Sequence, residues 1–321
     1  MEELTPEQIR DFERAHRRTR SELIGSCKTC RNGIATADLA DNTILVEYFS
    51  ENGFRCWVCG SMIDLRKIVF DHILDEGPFR LFILLNAEST AFSFRLRQNE
   101  LTTVDIVQQG VPEEAIILDL NLTPIGGSEG VLHPTLISGN SPLAHWPPTF
   151  GKELHLAPVP FGDYPAESEV NALITWLKPI QEDMPAWVSL VDAFKHFRFG
   201  RFADVVLPAQ IAVETKLQRV LQIVMAAGAS SSRDRKNFLQ SISYWHKLSV
   251  LLADICARSN LPFISPQIKG GLNILRKRRN EMAHRGRLES AFGQNEAADA
   301  LTAAFFVFRF LDVVLEYAKT S

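Results

Sequence analysis

The sequence predicts a multidomain α+β protein made of three segments that differ in composition. Two Cys-x-x-Cys pairs lie within the first 60 residues, which is typical of a zinc ribbon. Short apolar runs separated by prolines follow, and they favour a β-rich domain, either a sandwich or a barrel. From about residue 167 the apolar residues recur at helical spacing, which indicates an all-α bundle. We therefore predict domains at residues 1–65, 66–166 and 167–321.

Composition and charge exclude several classes of protein. The chain has 321 residues, 46% of them hydrophobic, and a formal net charge of −4, as in many globular proteins. Because the chain as a whole is not a polycation, attraction to nucleic acid must come from local patches. It has no apolar run long enough to cross a bilayer, and its acidic, polar N-terminus is not typical of a secretory signal. We expect a cytoplasmic protein.

Residues 1–24 are predicted to form a charged helix. Thr5 fits the N-cap, Pro6 suits the first helical position and Gln8 completes a capping box. Four arginines share one face of this helix: Arg10, Arg14, Arg17 and Arg18. That face is either solvated or a contact with nucleic acid.

The two cysteine pairs predict a structural metal site. Cys27-Lys28-Thr29-Cys30 and Cys56-Trp57-Val58-Cys59 each form a tight turn that presents two thiolates to one ion. Between them, Thr43–Phe49 is predicted to be a strand. The proposed ligands are Cys27, Cys30, Cys56 and Cys59, which hold one structural Zn²⁺ per chain; the alternatives are a redox dithiol or chance. A closed site of four cysteines has no open coordination position, so we expect it not to be catalytic.

Residues 66–166 are predicted to be rich in short strands. The candidate strands include Phe79–Leu85, Ala91–Leu96 and Ala115–Leu120. From residue 101 to 165 there are seven acidic residues and one basic residue, Lys152, which makes a poor surface for RNA. Three histidines of this segment, His133, His145 and His155, lack the spacing of zinc ligands, so we interpret them as ordinary surface or core residues.

The remainder of the chain is predicted to be helical. Helices are expected near residues 167–177, 186–197, 202–226, 233–259, 267–285 and 295–318. Pro208 implies either a kink or a later start of the third of these helices. Cys256 lies on the fourth, where a buried thiol acting as a small hydrophobic residue is the simplest interpretation.

The residues from Leu275 to Gly286 form a concentrated basic site near the end of one predicted helix. Six of the twelve residues from 276 to 287 are lysine or arginine. Asn280 and His284 lie one turn apart on nearly the same face, and the long side chain of Arg279 can reach that face. A guanidinium, an amide and an imidazole that converge on one point suit the recognition of a phosphate.

This helical region resembles the HEPN superfamily. Its pattern is an arginine, a polar residue, a short spacer and a histidine, here Arg279-Asn280-x-x-x-His284, with four residues between the arginine and the histidine. The resemblance covers about residues 185–320 and does not extend to the cysteine pairs or the β-rich segment. Glu214, on an otherwise apolar helical stripe, also resembles a feature of that superfamily.

The resemblance implies a metal-independent endoribonuclease, often a toxin or an antiviral defence effector, in which two protomers pair so that their motifs share a cleft. It implies that Arg279, Asn280 and His284 are catalytic, and we expect Arg276, Arg278, Arg285 and Glu214 to contact substrate. An antitoxin or regulatory partner is also expected. The 2′-OH of RNA is the nucleophile, and a histidine with an ordinary pKa near 6.5 can transfer its proton at neutral pH.

Non-catalytic interpretations remain open. A basic helix end followed by His284-Arg285-Gly286 is also typical of a C-terminal cap. The helical region would then be an RNA- or nucleotide-binding or dimerisation module, and the zinc ribbon would dock a partner. A third alternative is a regulatory protein whose helices only dimerise.

Overall fold

The computed structural model describes residues 23–35, 42–51, 54–75, 87–125, 131–138, 141–142, 153–161, 165–177, 184–227, 231–285 and 292–320. The chain mixes helix and strand, with a helical C-terminal region and a cysteine cluster near the N-terminus. It forms two compact units, one from residues 1–84 with 181–321 and one from residues 85–180. The predicted strand Phe79–Leu85 and residues 1–22 of the predicted first helix lie outside the described ranges. The last two residues of that predicted helix, Leu23 and Ile24, belong to a strand instead. The three-domain division stays a prediction.

Two small β-hairpins and two helices form the N-terminal part of the first unit. Strand β1 (Leu23–Ser26) pairs antiparallel with β2 (Gly33–Ala35), and β3 (Phe54–Arg55) pairs antiparallel with β4 (Met62–Ile63). Helix α1 (Asn42–Glu51) lies between the hairpins in sequence, and α2 (Leu65–Asp75) follows the second one. Each hairpin carries one cysteine pair in its turn, so the β pairing positions the four thiols.

The strand predicted over Thr43–Phe49 is wrong, because these residues belong to α1. Four of its side chains are buried at helical spacing: Ile44, Leu45, Tyr48 and Phe49. The Tyr48 ring lies 4.9 Å from Phe306, and the Phe49 ring lies 4.7 Å from Phe310. Aromatic and β-branched residues favour strands locally, but burial against the C-terminal helices selects the helix here.

The C-terminal part of the first unit is helical. Its α-helices are α3 (Met184–Arg198), α4 (Val206–Val224), α5 (Ser232–Ser241), α6 (Tyr244–His246), α7 (Leu252–Arg258), α8 (Pro266–Arg285) and α9 (Gln294–Thr320). Short 3₁₀ segments, Phe202–Val205 and Met225–Ala227, flank α4. Pro208 lies in the first turn of α4, which confirms the later start. No helix within the described ranges is both long and apolar enough to cross a membrane.

The helix predicted over residues 233–259 is divided in the structure. Helix α5 ends at Ser241, and the Ser243 hydroxyl caps α6 by accepting a hydrogen bond from the His246 N–H at 3.2 Å. A π-helical turn, Lys247–Leu251, then joins α6 to α7. The break occurs because serine at an N-cap competes with the continuation of the preceding helix.

Helix α9 is the centre of the first unit. Its residues from Ala297 to Leu311 are buried on nearly all sides, which explains its uninterrupted apolar composition. Helices α1, α2, α3, α4 and α8 all contact it. Gly271 of α8 permits a close approach, because an added Cβ there would lie 2.5 Å from the Cβ of Ala303.

The second unit consists of two antiparallel sheets. Its strands are β5 (Ala87–Arg97), β6 (Thr102–Asp105), β7 (Ile116–Ile125), β8 (Val131–Ser138), β9 (Ser141–Pro142), β10 (Glu153–Phe161) and β11 (Glu167–Leu177). One sheet has the order β6-β10-β8-β9 and the other β5-β11-β7. Side chains of both sheets share one hydrophobic core that includes Leu96, Leu132, Leu156 and Trp176. The predicted strand Ala91–Leu96 is confirmed within β5, and the predicted strand Ala115–Leu120 is confirmed from Ile116 onward in β7.

The helix predicted near residues 167–177 is wrong, because this segment is the central strand β11. Its side chains alternate between buried and exposed, with Val170, Ala172, Ile174 and Trp176 on the buried face. The Trp176 Nε1–H donates to the Thr90 hydroxyl at 2.9 Å. Period-two burial between two neighbouring strands therefore determines the conformation.

Candidate functional site

The two Cys-x-x-Cys segments adopt the same turn. In the first, the Cys27 N–H donates to the Asn32 carbonyl at 2.8 Å, and the Arg31 N–H donates to the Cys27 carbonyl at 2.8 Å. In the second, the Cys56 N–H donates to the Ser61 carbonyl at 2.8 Å, and the Gly60 N–H donates to the Cys56 carbonyl at 2.7 Å. Arg31 and Gly60 occupy equivalent positions with positive φ, 59° and 71°. We call these turns the first and second knuckle.

The four sulfur atoms converge on one point. The Sγ atoms of Cys27, Cys30, Cys56 and Cys59 all lie within 4.8 Å of one another. The Cys27–Cys59 and Cys30–Cys56 Sγ distances are both 3.6 Å. Zinc–sulfur bonds of about 2.3 Å at tetrahedral angles place sulfurs about 3.8 Å apart. The donor set therefore fits a tetrahedral ion, and within the described ranges it is the one such group of three or more potential ligands.

Hydrogen bonds favour the thiolate form at two of the four positions. The backbone N–H groups of Cys30 and Thr29 lower the pKa of Cys27. The side chain and then the backbone N–H of Ser61 lower the pKa of Cys59 to about 6. The backbone N–H of Asn32 lowers the pKa of Cys30, but burial and the neighbouring thiols outweigh it and raise the pKa of Cys30 to about 12. Because a thiolate and not a thiol binds a metal, coordination requires the cluster to release protons.

The end of α8 carries the basic site predicted from the sequence. Arg276, Asn280 and His284 lie four residues apart along α8 and so share one face. Arg279 precedes Asn280, and its Nη1–H donates to the Asn280 Oδ1 at 3.2 Å. Arg279 and His284 are both exposed, and Asn280 is half-buried. Arg285 is the last residue of α8, and its side chain lies outside the described part of the chain.

Two other arginines of α8 have different surroundings. Arg278 donates to Glu281 at 3.1 Å and to Glu296 of α9 at 3.2 Å, and only 14% of its side chain is exposed. Arg276 donates to the Asn273 Oδ1 at 2.9 Å, and its guanidinium lies 5.5 Å from the centre of the Trp245 ring. Arg278 therefore joins α8 to α9, whereas Arg276 is held on the face that carries His284.

Glu214 belongs to a polar cluster between α4 and the turn around α6. Gln210, Glu214 and Gln218 are spaced four apart on α4. The Lys247 Nζ donates to the Gln218 Oε1 at 2.6 Å. Burial lowers the pKa of Lys247, and the carboxylate of Glu214 opposes that shift. Burial also raises the pKa of Tyr244, and Glu214 adds to the effect.

Sequence reasoning missed Tyr244 and Lys247 as members of this cluster. Both residues are buried, and Trp245 between them contacts Arg276. The available signal was the repeat of polar side chains at Gln210, Glu214 and Gln218 on an otherwise apolar helix. That repeat indicates a buried polar contact, because polar groups on a core-facing stripe need partners.

Comparison with known proteins yields no matching family model, no similar curated protein and no similar solved structure. The functional assignment therefore depends on the residues themselves. The chain combines a four-cysteine cluster that can hold a metal ion with an Arg-Asn-His group at a helix end, of which the arginine and the histidine are exposed.

Proposed function

We propose that the C-terminal helical region is a HEPN-like ribonuclease domain that cleaves RNA without a metal ion. The observation that carries this proposal is the exposure of Arg279 and His284 at the end of α8, with the half-buried Asn280 hydrogen-bonded to Arg279. A structural cap alone requires no histidine and no bonded Arg-Asn pair on the exposed surface. The local excess of basic residues supplies the attraction to RNA that a chain of net charge −4 otherwise lacks.

In the proposed reaction, His284 removes the proton of the 2′-OH as this oxygen attacks the adjacent phosphorus. Arg279 stabilises the negative charge of the pentavalent intermediate, and Asn280 orients the phosphate. His284 of the partner subunit protonates the leaving 5′-oxygen, since one imidazole does not readily act as base and acid at once. The products are a 2′,3′-cyclic phosphate and a 5′-OH. The proposal therefore requires a homodimer with a composite site.

The four other residues predicted to contact substrate have different roles in the proposed site. Arg276 and Arg285 bind the phosphates on either side of the cleaved bond. Arg278 has a structural role, because its ion pairs with Glu281 and Glu296 fix the orientation of α8. Glu214, through its neighbours Tyr244 and Lys247, supports the segment on which Arg276 packs.

We further propose that the cysteine cluster is a zinc ribbon with one structural Zn²⁺ per chain, and that the second unit is a β-sandwich. The protein is proposed to act in the cytoplasm as a toxin or an antiviral effector. An antitoxin or other regulatory protein would restrain it. Metal analysis of purified protein checks the first point, with about one zinc per chain as the expected result.

The decisive experiment incubates purified protein with labelled RNA in excess EDTA. Wild type is expected to yield products ending in a 2′,3′-cyclic phosphate, and His284→Ala and Arg279→Ala are expected to lose at least a hundredfold in rate. Arg258→Ala is the matched control, because the side chain of Arg258 is 78% exposed and lies on a different helix. Zinc content is measured after the incubation, so that loss of the structural ion is not mistaken for a catalytic requirement.

Intact RNA with the wild type and both variants contradicts the ribonuclease proposal and favours the binding module. Cleavage that requires added Mg²⁺ contradicts the mechanism. In cells, growth arrest on induction that His284→Ala relieves supports catalysis as the cause of toxicity. Equal arrest by wild type and His284→Ala counts against it.

A further inference from the structure

The second knuckle exposes three large apolar side chains next to the metal site. Trp57, Val58 and Met62 have 41%, 62% and 48% of their surface exposed. Each knuckle is fixed by its own hydrogen bonds and by two cysteines, so these side chains project from a rigid turn. Neighbouring exposed apolar side chains on a hydrogen-bonded turn form a candidate contact surface.

The orientation of Trp57 is fixed by the residue beneath it. Its ring stacks on that of Phe54, with the ring centres 5.9 Å apart and the planes inclined by 24°. Phe54 itself is 2% exposed. An indole that is supported from below and partly open to solvent presents a flat aromatic surface of the kind on which nucleobases stack.

The charges around this surface are nearly balanced. Residues 26–33 and 54–62, which include the two knuckles, contain Lys28, Arg31 and Arg55 and no aspartate or glutamate, and Asp64 follows two residues later. Four thiolates with one Zn²⁺ would leave two negative charges, and Asp64 adds a third, so the three cations are just balanced. Stacking must therefore contribute most of the affinity for a nucleic acid.

A cavity of about 390 Å³ adjoins the knuckles, and its lining includes Met62 and four charged residues, Lys28, Asp64, Lys67 and Asp71. The Lys67 Nζ is paired with Asp71 at 2.9 Å. Lys28 is therefore the cation better placed to contact a phosphate at the mouth of this cavity. Met62 lines the cavity and lies on the same hairpin as Trp57, so one extended strand can contact both.

We propose that the knuckles bind single-stranded RNA, with one base stacked on Trp57 and a neighbouring phosphate on Lys28. This inference rests on the proposed function, because it names a second contact for the same RNA substrate. In this proposal the metal site stabilises the turn that carries the Trp57 indole, and the indole holds the substrate. It does not require the metal ion to contact the RNA.

The test measures binding of a fluorescein-labelled oligouridine by anisotropy, with the full chain in a His284→Ala background that prevents cleavage. Trp57→Ala is expected to weaken binding about tenfold, whereas Trp57→Phe retains most of the affinity. Val188→Ala is the matched control, because it removes an apolar side chain that is 43% exposed and lies on α3, outside the knuckles. Lys28→Gln is expected to reduce the slope of log Kd against log salt by about the amount that one phosphate contact contributes.

Unchanged affinity in Trp57→Ala overturns the inference, and so does Trp57→Phe binding as weakly as Trp57→Ala. Zinc content and the thermal midpoint are measured for every variant. If Trp57→Ala loses zinc, the test rests on Lys28→Gln. A dependence of log Kd on log salt that is the same in Lys28→Gln as in its parent then overturns the inference. Cleavage by the wild type is scored separately. RNA binding that depends on Trp57 without any cleavage contradicts the proposed function alone, and cleavage with binding insensitive to Trp57 contradicts this inference alone.

Discussion

The ring of Phe49 lies 4.7 Å from that of Phe310, at an interplanar angle of 62°. Phe49 belongs to α1, between the two cysteine pairs in sequence, and Phe310 belongs to α9, the central helix of the first unit. The guanidinium of Arg66 on α2 also pairs with Asp299 on α9. The cysteine-bearing segment and the C-terminal helices therefore share one core.

Because of this shared core, loss of the proposed metal ion is expected to destabilise the C-terminal helices. Cys56→Ser should abolish metal binding, since three ligands and a hydroxyl do not reproduce the tetrahedral site. The free energy of unfolding should fall by about 3 kcal/mol or more, because the binding energy of a structural ion contributes to folding. Urea denaturation followed by far-ultraviolet circular dichroism, together with zinc analysis, measures both effects.

Cys256→Ala provides the control for that experiment. Cys256 is 1% exposed, and burial raises the pKa of its thiol to about 12, so it should remain an unreactive thiol. This variant should retain its zinc and lose only the stability expected from a small cavity. An unchanged unfolding transition of the helices in Cys56→Ser would show that the metal site and the bundle are energetically independent.

Arg278 and Arg279 are neighbours for which we expect opposite effects. Arg278→Ala should lower the free energy of unfolding by about 1–3 kcal/mol, because it leaves Glu281 and Glu296 without the charged hydrogen bonds of Arg278. Arg279→Ala should change stability by less than about 0.5 kcal/mol, because Arg279 is exposed. RNA cleavage should show the reverse order when both variants are assayed well below their melting temperatures.

Two outcomes would contradict these expectations. Equal destabilisation by Arg278→Ala and Arg279→Ala would contradict the structural role of the Arg278 pairs. Normal cleavage by folded Arg279→Ala would instead contradict its proposed role at the phosphate.

Asp312 pairs with two buried cations, Lys216 and Arg309. Its loss should therefore lower the free energy of unfolding more than the loss of Lys216 does. The Lys216 Nζ lies 2.7 Å from Asp312, and the side chain of Lys216 is 2% exposed. The Arg309 Nη1 lies 3.0 Å from the same carboxylate, and the side chain of Arg309 is 7% exposed. Asp312→Ala should therefore cost about 3–5 kcal/mol, because both cations lose that carboxylate. Lys216→Met should cost about 1–2 kcal/mol, since Asp312 keeps Arg309 and the methionine fills the space.

Chemical denaturation of the variants measures this order. Asp254→Ala is the control, because its pair with Arg258 is exposed and should contribute less than about 1 kcal/mol. A greater loss in Lys216→Met than in Asp312→Ala would show that the aromatic contacts of Lys216, 4.9 Å from the Phe308 ring, outweigh the ion pair.

The cysteine cluster was predictable from the sequence because its signal is local. Two Cys-x-x-Cys turns specify both the ligands and the turn, so the convergence of Cys27, Cys30, Cys56 and Cys59 follows from spacing. Helices α8 and α9 were predictable for a related reason, since prolines, glycines and long apolar periodicity mark their ends and faces.

Elements that depend on distant partners were not predictable in the same way. The conformation of α1 is selected by the Phe306 and Phe310 rings, more than 250 residues away in sequence. Strand β11 pairs with β5 and β7 on either side, and its alternating burial arises only in that sheet. The polar cluster of Glu214, Tyr244 and Lys247 likewise needs the packing of α4 against the turn around α6.

Gly270 and Gly271 are adjacent on α8, and alanine should have opposite effects at the two positions. A Cβ at Gly271 would lie 2.5 Å from the Cβ of Ala303 and 3.3 Å from the Asp299 carbonyl oxygen. Gly271→Ala should therefore separate α8 from α9 and cost about 1–3 kcal/mol. A Cβ at Gly270 meets no described atom within 4 Å, so Gly270→Ala should stabilise the helix by about 0.5–1 kcal/mol.

Ala303→Gly tests whether the contact itself is responsible. Combined with Gly271→Ala, it removes the closest clash, so the double variant should be more stable than the sum of the two single changes predicts. Thermal unfolding of the wild type, the two single variants and the double variant gives the coupling free energy between positions 271 and 303. A coupling near zero, or a stabilising Gly271→Ala, would show that α8 and α9 do not pack at this distance. Because α8 carries His284, the same displacement should also lower the proposed RNA cleavage in Gly271→Ala, and Gly270→Ala should leave it unchanged.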